Sequence, residues 1–111
     1  MIDVSDPRNP VAVSSMADDV DGFDVLDGAE GVATFVIGPS TYAIVASFDD
    51  NGVQLIDVSD PRNPVAVSSM ADDVDGFDVL DGAEGVATFV IGPSTYAIVA
   101  SFDDNGVQLI D

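Results

Sequence analysis

The sequence predicts an all-β protein made of repeated four-stranded sheets, and three observations carry that expectation. Residues 2–55 recur without a substitution as residues 56–109, and Ile110 and Asp111 open a third copy. Within each unit, short β-branched and aromatic runs alternate with clusters of Gly, Pro, Asn and Asp, the pattern of strands joined by tight turns. The hydrophobic content is 47%, that of a chain able to fold and too high for a disordered acidic tail.

The elements follow in order along one repeat. Gly31–Ile37 is β-branched and aromatic and reads as a first strand, ended by a turn at Gly38-Pro39-Ser40-Thr41. Tyr42–Phe48, almost wholly apolar, is a second strand. Asp49-Asp50-Asn51-Gly52 supplies a hairpin turn, because Asn-Gly tolerates the positive φ angles of a tight reversal. Val53–Val58 alternates and is a third strand; Ser59–Pro64, with two prolines, is a turn; Val65–Met70 is a more polar fourth strand. The first two strands lack polar alternation, as expected when both faces of a sheet are covered. The fourth is the wet outer edge. Residues 71–84, like 17–30 before them, form a long acidic connection that brings the period to 54.

Repeats at a fixed period mark propellers, solenoids and arrays. Sheets with buried inner strands and a wet outer strand are expected to be β-propeller blades. A sandwich is the main competitor, and it requires alternation in every strand, which Tyr42–Phe48 does not show. Identity at every position of the repeat is the mark of a sequence made symmetric by design, or of a very recent duplication.

The strand count along the chain sets an expectation for assembly. Residues 11–16 are a fourth strand, residues 31–70 a complete set of four, and residues 85–111 strands one to three. The unpaired pieces are complementary, and exposed strand edges are a route to association. Residues 11–16 of one copy are therefore expected to complete the second sheet of its neighbour, head to tail, giving a ring if the rotation closes. With two blades per chain and propellers of roughly 4–8 blades, a homotetramer of eight blades is favoured and a homotrimer of six is the alternative.

Tyr42–Ala46 followed by Gly52-Val53-Gln54-Leu55-Ile56-Asp57-Val58-Ser59-Asp60-Pro61-Arg62-Asn63-Pro64 resembles the repeat of the LVIVD-type β-propellers. That family carries a GL-x-I-I-D-V-S-D-P-x-x-P stretch from its third strand into its fourth. The chain departs from it at Val53, where Leu is usual, and in its long acidic connection. Its strict symmetry also resembles that of computationally designed symmetric propellers. Both resemblances imply a ring of blades, and the second implies a scaffold without a biochemical activity of its own.

Composition excludes most chemistry. The chain has no Cys, His, Lys or Trp, which removes thiolate and imidazole metal sites, histidine bases, Schiff-base lysines and the Ser-His-Asp triad. Arg8 and Arg62 face 21 acids, for a net charge of −19. Nucleic acid and anionic membrane surfaces are therefore not expected as partners. No leader or targeting signal is read, and apolar runs fall well short of the roughly 18 residues of a membrane span. Localisation is consequently not readable beyond the expectation of a recombinant, cytoplasmically expressed protein.

In an up-and-down sheet, the long connection and the Asp49–Gly52 turn share one face. That face gathers Asp18, Asp19, Asp21, Asp24, Asp27, Glu30, Asp49 and Asp50 in each repeat. Asp19-Val20-Asp21-Gly22-Phe23-Asp24 has the close carboxylates and glycine of calcium loops, without their full spacing. Candidate cation contacts are thus Asp19, Asp21, Asp24, Asp49 and Asp50, with Asp73, Asp75, Asp78, Asp103 and Asp104, for weak Ca²⁺ or Mg²⁺. The competing expectation is a solvated acidic rim with no metal site. No cofactor and no catalytic residue is expected. Paired acids could serve glycoside hydrolysis, but crowded loops reach such separations by chance.

Overall fold

The computed structural model describes residues 1–111. It is all-β, without helices, in three antiparallel sheets of two, four and three strands. β1 (Ile2–Asp3) and β2 (Val11–Ala12) form a hairpin. β3 (Ala29–Ile37), β4 (Ser40–Ser47), β5 (Gly52–Asp57) and β6 (Val65–Ala71) form the four-stranded sheet in chain order. β7 (Ala83–Ile91), β8 (Ser94–Ser101) and β9 (Gly106–Ile110) form the three-stranded sheet.

Local chemistry explains the turns. Gly38 and Pro39 alone separate paired Ile37 and Ser40. Gly38 takes φ 57, as the first central residue of a II′ hairpin must, and Pro follows at its native φ. The Asn51-Gly52 pair works differently from the sequence expectation. Asn51 carries the positive φ of 52, whereas Gly52 already lies in β5. Gly52 is required by close approach: a Cβ there would sit 2.2 Å from the Met70 carbonyl oxygen.

The two large sheets lie face to face across one cluster, in which Ile44, Ala46 and Val53 of the first meet Ala83, Ala97 and Val99 of the second and Leu80 of the connection before it. A smaller cluster of Phe23, Ala43 and Ile56 covers the other side of the first sheet, with Met16 packed against it. Only 16 of 111 residues are buried, a small core for this length.

The structure corrects two expectations about strands. The first strand is not covered on both faces: in β3, Ala33 and Phe35 pack against the core while Val32, Thr34 and Val36 are exposed. Burial along a whole strand falls to β4, which has a neighbour on both edges and a cluster on each face. Residues 11–16 form a ladder only at Val11 and Ala12, because Ile2 and Asp3 are the sole partner strand within reach. That pairing, Ile2 with Ala12 and Asp3 with Val11, has the register of Ile56 with Ala66 and Asp57 with Val65.

Candidate functional site

Backbone amides hold the acidic connection down. Val20 and Phe23 bridge across Asp21-Gly22, whose φ angles of 53 and 83 make a tight I′-type reversal. Asp19 and Asp24, with Asp21, are exposed at this reversal, and Asp73, Asp75 and Asp78 repeat the arrangement. The carboxylates that do converge are Asp18, Asp27 and Asp50, and their counterparts Asp72, Asp81 and Asp104, each set with ligand atoms within 4.8 Å of one another. Of the sequence candidates, Asp50 and Asp104 belong to these trios. Asp49 lies against Gly28, where any Cβ would meet its carboxylate at 2.5 Å, and Asp103 lies likewise against Gly82.

Within each trio the carboxylates already accept hydrogen bonds. The Leu26 N–H donates to Asp18 Oδ1 at 2.9 Å, and the Asp27 N–H to Asp50 Oδ2 at 2.9 Å. Leu80 and Asp81 donate in the same way to Asp72 and Asp104. The Asp81 carboxyl is held above its ordinary value, first by partial desolvation and then by the charges of Asp103, Asp104, Asp72 and Asp73. At the opposite turns, Asp3 and Asp57 are held below theirs by the hydroxyl and amide of Ser5 and Ser59. Arg8 and Arg62 join these turns through their backbone amides, which donate to Asp6 and Asp60 at 3.1 Å.

Gln54 is a structural residue that the sequence reading did not single out. Its Oε1 accepts from the Val25 N–H at 3.1 Å and its Nε2 donates to the Ser68 carbonyl at 3.0 Å. Ser47 Oγ donates to the Val25 carbonyl at 2.8 Å. The visible signal was an amide side chain at a strand position otherwise reserved for apolar residues. In the second sheet Gln108 keeps the bond to Val79 at 3.1 Å, but its Nε2 reaches only its neighbour Leu109.

Two apolar hollows lie beside these groups. A cleft of about 250 Å³ between the sheets is lined by Phe35, Ile44, Leu55, Met70, Tyr96 and Ile110 among others, with Asp111 its one acid. Phe35 stacks on Tyr42 beside it with ring centres 5.3 Å apart. A shallower groove of about 290 Å³ lies on the open face of the second sheet, lined by Gly85, Val86, Ala87, Ile98, Ala100 and Val107. No buried side-chain nitrogen or oxygen lacks a hydrogen-bond partner.

Three bonds tie neighbouring pieces across their seams. Gly82 N–H donates to Asn51 Oδ1 at 2.9 Å, and Thr88 Oγ1 donates to the Thr34 carbonyl at 2.9 Å. Ser14 Oγ donates to the Pro61 carbonyl at 2.6 Å, seating the N-terminal segment on the first sheet. Met16 there packs against the cluster of Phe23, Ala43 and Ile56, and its copy Met70 packs against the central cluster that includes Ala97.

No protein-family model, curated protein or solved structure matches the chain.

Proposed function

We propose that this chain is a structural building block that self-assembles head to tail into a closed β-propeller ring, four copies giving eight blades, with no catalytic activity. The carrying observation is the outer edge of β9. Its identical counterpart β5 is completed by β6 over six register pairs, whereas β9 pairs with β8 alone. Residues 11–16 repeat the β6 sequence, and their contacts through Met16 and Ser14 with the first sheet support reading them as the fourth strand of a preceding blade. The strict meander order within each large sheet supports blades over a sandwich, whose strands cross between sheets by Greek-key connections. The resemblance to LVIVD-type and designed symmetric propellers points the same way.

Sedimentation equilibrium tests the reading. A mass four times 11.4 kDa is expected. Three times that mass would replace the eight-blade ring by a six-blade one, and a monomer at all concentrations would overturn self-assembly.

A second reading, a binding module whose acidic face holds a divalent cation, is favoured by the Asp18, Asp27 and Asp50 trio. Calcium titration by calorimetry separates the two. The scaffold reading expects no saturable micromolar site, because two of these carboxylates already serve backbone amides.

A further inference from the structure

We propose that a second copy of the chain seats on the open face of the three-stranded sheet through the same contacts that join the two large sheets within one chain. This rests on the ring reading above and names the surfaces that would meet.

Identical residues lie here in unlike surroundings. Ile44, Ala46 and Val53 are buried under Leu80 and Ala83. Their copies Ala100 and Val107 are exposed, Val107 by 54% against 0% for Val53. These copies, with Ile98, line the 290 Å³ groove. The residues that would fill it are equally free at the other end of the molecule, where Leu26 is only half-buried and Ala29 exposed, although Leu80 and Ala83 are each 0% exposed. One chain therefore displays both halves of the seam that it also contains, already joined, at its centre. A surface complementary to another surface of the same molecule generates head-to-tail association, and exposed apolar patches of this kind mark interaction sites.

The polar contacts follow by the same one-repeat shift. Asn105 is exposed where Asn51 is not, and its Oδ1 is assigned the N–H of Gly28 of the partner subunit. The Thr88 carbonyl is assigned the hydroxyl of the partner subunit's Thr34. Steric fit supplies the sharpest mark. A Cβ on Gly31 would lie 2.3 Å from the Glu84 carbonyl oxygen and 3.0 Å from the Gly85 Cα, so the seam needs glycine there. A Cβ on Gly85 would meet only the Ala100 Cβ at 4.0 Å, an ordinary contact. Gly85 is thus free within the chain and is constrained only once a partner is seated.

Gly85→Ala and Asn105→Ala, made in the full chain, test the assignment by sedimentation and by circular dichroism. The expected result is an unchanged β spectrum for Gly85→Ala with assembly weakened about tenfold or more. Asn105→Ala weakens it about tenfold or less. If the parent chain assembles and both variants assemble equally well, this seam is wrong while self-assembly stands. A parent chain that never assembles removes both.

Discussion

At the scale of single residues, the two copies of one side chain serve as internal controls for each other. Phe35 packs against the central cluster, whereas Phe89 does not, and both are only half-buried. Full burial between blades would make truncation cost about 3–5 kcal/mol. Partial burial lowers the expectation to about 1–3 kcal/mol for Phe35→Ala, with Phe89→Ala below it in the unassembled chain; chemical denaturation of each single variant measures the difference. Charge gives a second prediction. Asp81 has a carboxyl raised above 3.8 in the fold, so its ionised form costs stability, and stability returns as pH falls through that raised value. Asp3 and Asp57 are depressed below 3.8, so their contribution is complete at higher pH and is lost as pH falls through their folded values. Urea midpoints should therefore rise as pH falls toward the raised Asp81 value and fall again as pH drops through the depressed values of Asp3 and Asp57. Asp81→Asn should flatten the first limb and Asp57→Asn the second. Midpoints falling steadily from pH 7 downward would show that the hydrogen-bonded carboxylates outweigh the crowded one. The sequence reading placed a turn at Ser59–Pro64 but not the carboxylate bonds of Asp3 and Asp57 to Ser5 and Ser59, nor the convergence of Asp18, Asp27 and Asp50, which depends on how a connection folds back onto a hairpin.

At the scale of elements, the strand repertoire was legible because β-branched runs and turn residues alternate so regularly. The ends shifted by about two residues, since a strand ends where its partner ends rather than where its propensity does. The N-terminal segment holds the most consequential difference. Read as a free fourth strand, it is partly self-capped: Ile2 and Asp3 pair with Ala12 and Val11, and the N-terminal ammonium donates to the Ser14 carbonyl. In the proposed ring, the β5–β6 pattern would pair Ala12 with a partner's Ile110 and offer the Ser14 carbonyl to a partner's Gln108. Two claimants for one edge cannot both pair. Deleting residues 2–16 should abolish the assembled species in light scattering, since the clasp is gone. Deleting only Ile2 and Asp3 should strengthen association several-fold, by roughly the net worth of the displaced hydrogen bonds. A weaker assembly after the short deletion would mean that the hairpin supports docking instead of competing with it.

At the scale of the whole molecule, the chain has more surface than its size warrants. A folded monomer of 11.4 kDa exposes about 5,800 Å², and this one exposes 6565 Å². The excess is comparable to one side of a standard interface, about 800 Å² per partner. Burial of the open apolar faces favours association, and charge opposes it, because every added copy brings a further −19. Self-repulsion of that kind destabilises compact states and is screened over about 8–10 Å near physiological ionic strength. Added sodium chloride should accordingly raise the melting temperature at pH 7.5. A melting temperature at pH 7.5 that drops with salt would place the acids in favourable pairs and end the acidic-rim account.

The sequence by itself determined the all-β class, the repeat, the strand and turn order and the chemical poverty of the chain. Those follow from local rules: the φ freedom of Gly and Asn, the period of apolar residues, and the absence of His, Cys and Lys. The tertiary structure alone decided which copy of each residue is buried. Val53 and Val107 have identical neighbours along the chain, yet one is sealed under Leu80 and the other faces solvent. Burial is a property of what lies across the sheet, and no local pattern can distinguish two identical segments whose only difference is the presence of a neighbour.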